Sequence, residues 1–166
     1  VREAIVDVLG DFAIAEAVLP LIRAVDDKNR SVRDLASDKL RANTDKIRGL
    51  GDKKITAALI AALKDNNHGV RSIAAELLGE AKVPQATQAL IEALHDPDAT
   101  VRESASKALP KIKDSAAIQP LVNALRDKDP AIRLKAIQTL AQFKDHRALE
   151  PLFPVLDDPD PEVRQS

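Results

Sequence analysis

A chain of 166 residues with a formal charge of −1 and 45% apolar residues has enough greasy surface for an ordinary folded core. It lacks the basic excess of a non-specific nucleic-acid binder, and with no Cys it can form neither disulfides, thiol nucleophiles nor thiolate metal sites. No apolar run approaches the roughly 20 residues that cross a bilayer, and the missing cysteines fit a reducing, cytoplasmic location.

Aromatic residues are limited to Phe12, Phe143 and Phe153, so the apolar weight falls on Ala, Leu, Ile and Val. That bias, with five glycines and no strand-like alternation, predicts an all-α chain. A first helix pair is expected over about 1–26, opening at Val1-Arg2 and carrying Leu9 and Leu21 on its stripes. The second, over 27–64, repeats these as Val32-Arg33, Leu40 and Leu59. The third, over 65–95, gives Val70-Arg71, Leu78 and Leu90. In the fourth, over 96–126, Asp98 is placed to cap a helix bearing Val101, Ala105 and Leu109; Ile118, Leu121, Val122 and Leu125 follow on the second helix. The fifth, over 127–157, has Asp129 as cap before Pro130, then Ile132, Ala136, Ile137 and Leu140 on one face. Its second helix is expected to bury Leu149, Leu152, Phe153 and Leu156, with Pro151 in the first turns. A sixth unit begins at Asp158, with Asp160-Pro161 and Val163-Arg164.

Successive Arg positions, 2, 33, 71, 102, 133 and 164, differ by 31, 38, 31, 31 and 31 residues. Such a period marks a solenoid, in which no unit can bury its apolar face until neighbours stack on it. The one long step places seven extra residues in the stretch Arg41 to Lys54. Seven residues are two helical turns, so Ile47 and Leu50 could continue the stripe; alternatively Gly49-Leu50-Gly51 marks a protruding loop. Arg41, Lys46, Arg48, Lys53 and Lys54 make the stretch net basic, and insertions in solenoids often map to a binding face. Neither end carries the polar cap of a free-standing array, so an excerpt of a longer array, or a unit completed by neighbouring chains, is expected.

The Asp-x5-Arg spacing, the hydrophobic residue before each Arg, and Leu9-Gly10 and Leu78-Gly79 at first-helix ends resemble HEAT-like repeats. In particular they resemble the short, roughly 31-residue kind of phycobilisome-lyase-type proteins. The resemblance implies an α-solenoid, a right-handed superhelix of about five helix-turn-helix repeats. It also implies a ladder in which Asp27, Asp65, Asp96, Asp127 and Asp158 bond Arg33, Arg71, Arg102, Arg133 and Arg164 within or between units. Because these pairs would be partly buried, Arg102→Ala is expected to destabilise more than a surface-charge change. Second helices would line the concave side. There Arg23, Ala61, Glu92, Asn123 and Pro154 form one exposed column, and Ala57, Gln88, Gln119 and Glu150 a neighbouring one.

Catalytic chemistry finds no foothold. His68, His95 and His146, read as loop, helix end and inter-helix turn, are unpaired at helical spacing, and none adjoins a Glu. Deoxyhypusine hydroxylase, a HEAT-like iron enzyme, carries His-Glu dyads that this sequence lacks, so neither metal nor cofactor is expected. Ser31, Ser72, Thr100 and Ser104 read as caps or solvated positions, and the glycines as helix ends or turns. The expected function is a non-catalytic scaffold binding a protein or peptide, with no nucleic-acid or membrane partner. The alternative, implied by the resemblance alone, is a bilin-lyase-like or phycobilisome-handling protein.

Overall fold

A computed structural model describes residues 1–11, 15–44 and 53–166, with the side chains of Ala15 and Glu16 left out. Among these residues there are helices and turns and no strand. First helices are α1 (Arg2–Asp11), α3 (Arg30–Ala42), α5 (His68–Glu80), α7 (Ala99–Ile112), α9 (Pro130–Phe143) and the short α11 (Pro161–Gln165). Second helices are α2 (Ala15–Ala24), α4 (Lys53–Ala62), α6 (Thr87–Ala93), α8 (Ile118–Ala124) and α10 (Leu149–Leu152). Each first helix packs on the first helix of the next pair, and α3, α5, α7 and α9 each pack on the second helix of the pair before, the pattern of an α-solenoid. Phe12 and the whole stretch 45–52, with Lys46, Arg48, Ile47 and Leu50, lie outside the described residues.

Two nested turns start each first helix from α3 onward. The carboxylate of Asp27, Asp65, Asp96, Asp127 or Asp158 accepts the backbone N–H two residues on, at 2.8–2.9 Å. That next residue, Asn29, Asn67, Asp98, Asp129 or Asp160, then caps the helix with its own side chain. Such caps satisfy donors the helix itself cannot. The other ends of α5, α7 and α9 close on Lys82, Lys113 and Lys144, all left-handed with φ of 54°, 58° and 53°. At the first of these, Lys82 donates to Gly79 O and Val83 to Leu78 O, a Schellman closure. A lysine therefore occupies the position where glycine is usual.

The leucine columns form the core: Leu40, Leu78, Leu109 and Leu140, and Leu21, Leu59, Leu90 and Leu121, are all buried. The fifth pair departs from expectation. Its second helix is α-helical only to Leu152 and continues as a 3-10 turn over Phe153–Asp157. Pro151 removes an N–H donor from the α-helical part and Pro154 another from the 3-10 turn. Leu149, Phe153 and Leu156 are 61%, 66% and 67% exposed, whereas the residues one repeat earlier, Ile118, Val122 and Leu125, are buried or half-buried. Of the four residues expected to be buried, only Leu152 is half-buried.

Gly10 and Gly79 do not end their helices as caps; they sit within the last turns. A Cβ on Gly79 would lie 2.6 Å from both Cα and Cβ of Ala108, so α5 and α7 pack backbone against backbone there. The α3–α5 junction is much looser.

Candidate binding surface

The second helices present the expected columns outward. Arg23, Ala61, Glu92, Asn123 and Pro154 are all exposed, as are Ala57, Gln88, Gln119 and Glu150. Their chemistry changes from unit to unit, while the adjoining core column stays leucine up to Leu121. Lys64 meets Glu92 at 3.4 Å and Gln119 donates to Asn123 at 3.2 Å, so the columns are joined both along and across helices. Leu63, Lys64, Ala89 and Glu92 line a shallow hollow of about 190 Å³ between α4 and α6. Lys53 and Lys54 open α4 and are exposed.

The Arg column has one posture in every unit from Arg33 onward. Nη1 donates to the carbonyl of the Asp six residues earlier: Arg33 to Asp27 and Arg71 to Asp65 at 2.8 Å, Arg102 to Asp96 at 2.8 Å, Arg133 to Asp127 at 2.9 Å and Arg164 to Asp158 at 2.6 Å. The Asp of a unit thus meets its own Arg through its backbone, not its carboxylate. The carboxylates of Asp27, Asp96 and Asp158 engage the Arg of the preceding unit instead, and those of Asp65 and Asp127 do not. Nε and Nη2 of Arg71 bind Asp96 at 2.7 and 2.8 Å, and those of Arg133 bind Asp158 at 2.7 Å each. Arg2 reaches Asp27 at 3.2 Å. The Arg133 fork holds the Asp158 carboxyl below the usual carboxylate range against the opposing effect of burial. At Asp96 burial pushes upward, but the Arg71 fork and the Asp98 amide outweigh it, and the net direction is down.

A second set of ion pairs on the first helices escaped the sequence reading. Lys39 meets Asp7 and Asp11 at 2.8 and 2.9 Å, Arg41 forks onto Glu76 at 2.8 and 3.0 Å, and Lys111 meets Glu80. Lys135 meets Glu103, and this contact holds the Glu103 carboxyl below its ordinary value. The only signal available was a pair of opposite charges 28 to 35 positions apart, which is lost among 51 charged residues. Ser72 and Ser104 are not solvated caps either: their hydroxyls bond each other at 2.9 Å between α5 and α7.

His68 opens α5 rather than lying in a loop, and stands 3.5 Å from Asp98; His95 stands 3.2 Å from Asp127; His146 begins a 3-10 turn. Among the described residues no three His, Cys, Asp or Glu side chains come together as a metal site, and no helix is long and apolar enough to cross a membrane.

No curated protein matches the sequence. Among solved structures, the CpcE–CpcF complex of phycocyanin lyase from Nostoc sp. PCC7120 is similar at 23% identity and a TM-score of 0.66, covering 92% of this chain and 96% of that one. Human deoxyhypusine hydroxylase is similar at 21% identity and 0.57, covering 99% and 75%. Computationally designed armadillo repeat proteins for modular peptide recognition are similar at 18% and 0.55, covering 96% and 87%. At these identities the likeness is one of fold. The family model for HEAT repeats matches residues 36–110 and 87–166, together more than three quarters of the sequence, and the chain belongs to the HEAT repeat family.

Proposed function

We propose that the protein is a non-catalytic scaffold that binds a protein or peptide along the concave face lined by its second helices. The observation that carries this reading is the contrast between columns: Arg23, Ala61, Glu92, Asn123 and Pro154 vary in charge and size beside leucines that do not. A surface that changes along a fixed frame can read an extended partner position by position. The likeness to armadillo proteins designed for peptide recognition agrees with it. Affinity capture from the native lysate tests it, comparing wild type with a Glu92→Arg, Gln119→Arg, Asn123→Arg variant and a Lys107→Glu control on the first-helix face. Proteins lost with the triple variant and kept with the control support the reading; the same proteins captured by all three would sink it.

A second reading, handling of a bilin or a phycobiliprotein, is favoured by the likeness to the phycocyanin lyase complex. Mixing the chain with phycocyanobilin decides it. A stable visible absorbance co-eluting with the protein supports the reading, and colourless protein after gel filtration rejects it.

A further inference from the structure

The shared posture of the Arg column makes its exceptions informative. Nη1 is tied to two backbone carbonyls in each unit, which leaves the Nε–Nη2 edge for another acceptor. At Arg71 and Arg133 that edge clamps a carboxylate, Asp96 or Asp158. At Arg33 the next unit's acid is Asp65, displaced in sequence by the seven-residue insertion, and among the described residues its carboxylate accepts only from Asn67 N. Arg33 instead lines a cleft of about 670 Å³ between α3 and α5. Arg33, Ser37 and Arg41 form one wall, and His68, Ser72 and Ile73 the other.

Of the basic residues lining this cleft, only Arg33 and the exposed Lys28 lack an anionic partner among the described residues. Asp26 accepts from Asn67 Nδ2, Asp27 meets Arg2, Asp34 meets Arg30, and Arg41 is held by Glu76. Nε and Nη2 of half-buried Arg33 have no acceptor among the described residues. Arg102 also keeps a free edge, but there the next acid, Asp127, is turned to His95, and Arg102 does not line the cleft.

We propose that the α3–α5 cleft binds a carboxylate supplied by another molecule, clamped by Nε and Nη2 of Arg33 as Asp96 is clamped by Arg71. The fork is already oriented, so binding costs little side-chain freedom, and bidentate guanidinium–carboxylate geometry is among the stronger polar contacts. The cleft is large enough for an acidic side chain with its flanking backbone. Asp27 and Asp34 nearby disfavour a polyanion, so the fitting ligand carries one carboxylate among neutral or basic groups. This site lies on the first-helix side and stands independently of the reading of the second-helix face.

The test uses the full chain and two probes, acetyl-Lys-Glu-Lys-amide and propionate, with the Gln-containing peptide as control. In nitrogen–proton spectra of arginine side chains, the Arg33 Nε–H resonance moves saturably with the Glu peptide, while those of Arg71 and Arg133 stay in place. By fluorescence anisotropy, Arg33→Gln weakens labelled Glu peptide at least tenfold and Arg102→Gln leaves it unchanged. Should Arg33→Gln lose its helical signal, the wild-type spectra decide alone. A response to propionate as well shows that free acids are taken; a response to the peptide only assigns the site to acidic peptide segments. An Arg33 resonance unmoved by both probes at millimolar concentration, or moved equally by the Gln peptide, overturns the proposal.

Discussion

Replacing Gly79 by alanine puts the packing of α5 on α7 to a direct test. In an open helix the change would stabilise by about 0.5–1 kcal/mol, because alanine loses less backbone freedom on folding. Here the new Cβ would stand 2.6 Å from Cα and Cβ of Ala108 and 3.3 Å from its carbonyl oxygen. Those atoms belong to a helix backbone and cannot turn aside, so the two helices must part. Overpacking of that kind costs about 1–3 kcal/mol, which with mid-range values leaves a net loss on the order of 1 kcal/mol after the helical gain. Gly10 supplies the comparison. A Cβ there meets Lys39 Cδ, Cγ and Cβ, the last at 2.7 Å; the outer carbons can swing toward solvent by giving up Asp7 and Asp11, but the Lys39 Cβ is fixed to its helix. Gly10→Ala should therefore also destabilise, but less than Gly79→Ala, because no backbone atom stands in the way. Urea unfolding followed by helical circular dichroism measures both. In an Ala108→Gly background the Gly79→Ala change should cost at least about 1 kcal/mol less, the coupling expected of touching residues. A Gly79→Ala protein as stable as wild type, or more so, would refute the backbone contact.

Arg71→Ala should lower the urea midpoint more than Arg102→Ala, since the first strands the largely buried Asp96 carboxylate and the second loses bonds to two backbone carbonyls only; equal midpoints would count against this assignment. Lys113→Gly and Lys144→Gly should each raise stability by about 0.5–1 kcal/mol in thermal melts, because both lysines hold a left-handed backbone that glycine adopts without strain. Acid should destabilise the array. Asp96, Glu103 and Asp158 all have folded pKa values below their unfolded values near 4, so the unfolded chain binds more protons as pH falls. Their contribution is complete above about pH 5 and is lost as pH drops through 4 toward the lower folded values. A urea midpoint that stays level or rises from pH 6 to pH 3 would contradict that direction.

The repeat was legible because the core imposes it. A leucine that must fill the same hole in each unit recurs at a fixed step, and Leu40, Leu78, Leu109 and Leu140 are buried together in consequence. Asp98 and Asp129 were likewise readable as caps, since that chemistry is local. Partner choice was harder to read. The Asp-x5-Arg spacing pointed to pairing, but not to an Asp meeting its own Arg through the backbone and the preceding unit's Arg through the carboxylate. The interlocking of Gly79 with Ala108 needs two helices in register, and one sequence offers only a glycine. The splitting of the fifth second helix was within reach of the sequence, because Pro151 and Pro154 stand three residues apart.

These contacts divide the array unevenly, and that has a measurable consequence. In a solenoid each unit is stabilised only by its neighbours, so stability is a chain of junction energies and not one global quantity. The α5–α7 junction combines a backbone approach at Gly79, the Ser72–Ser104 hydrogen bond and the Arg71–Asp96 fork. The α3–α5 junction has the Arg41–Glu76 fork beside a cleft of about 670 Å³, with no Arg33 fork on Asp65. Local opening should therefore divide the chain there. Amide exchange should show α1 and α3 protected to a lower level than α5 and α7, with the step falling between Ala42 and His68. Filling the α3–α5 cleft with a carboxylate would raise protection of α3 more than that of α7. Uniform protection from α3 through α7 would mean that the looser junction is no weaker, and that burial of leucines alone governs how the array opens.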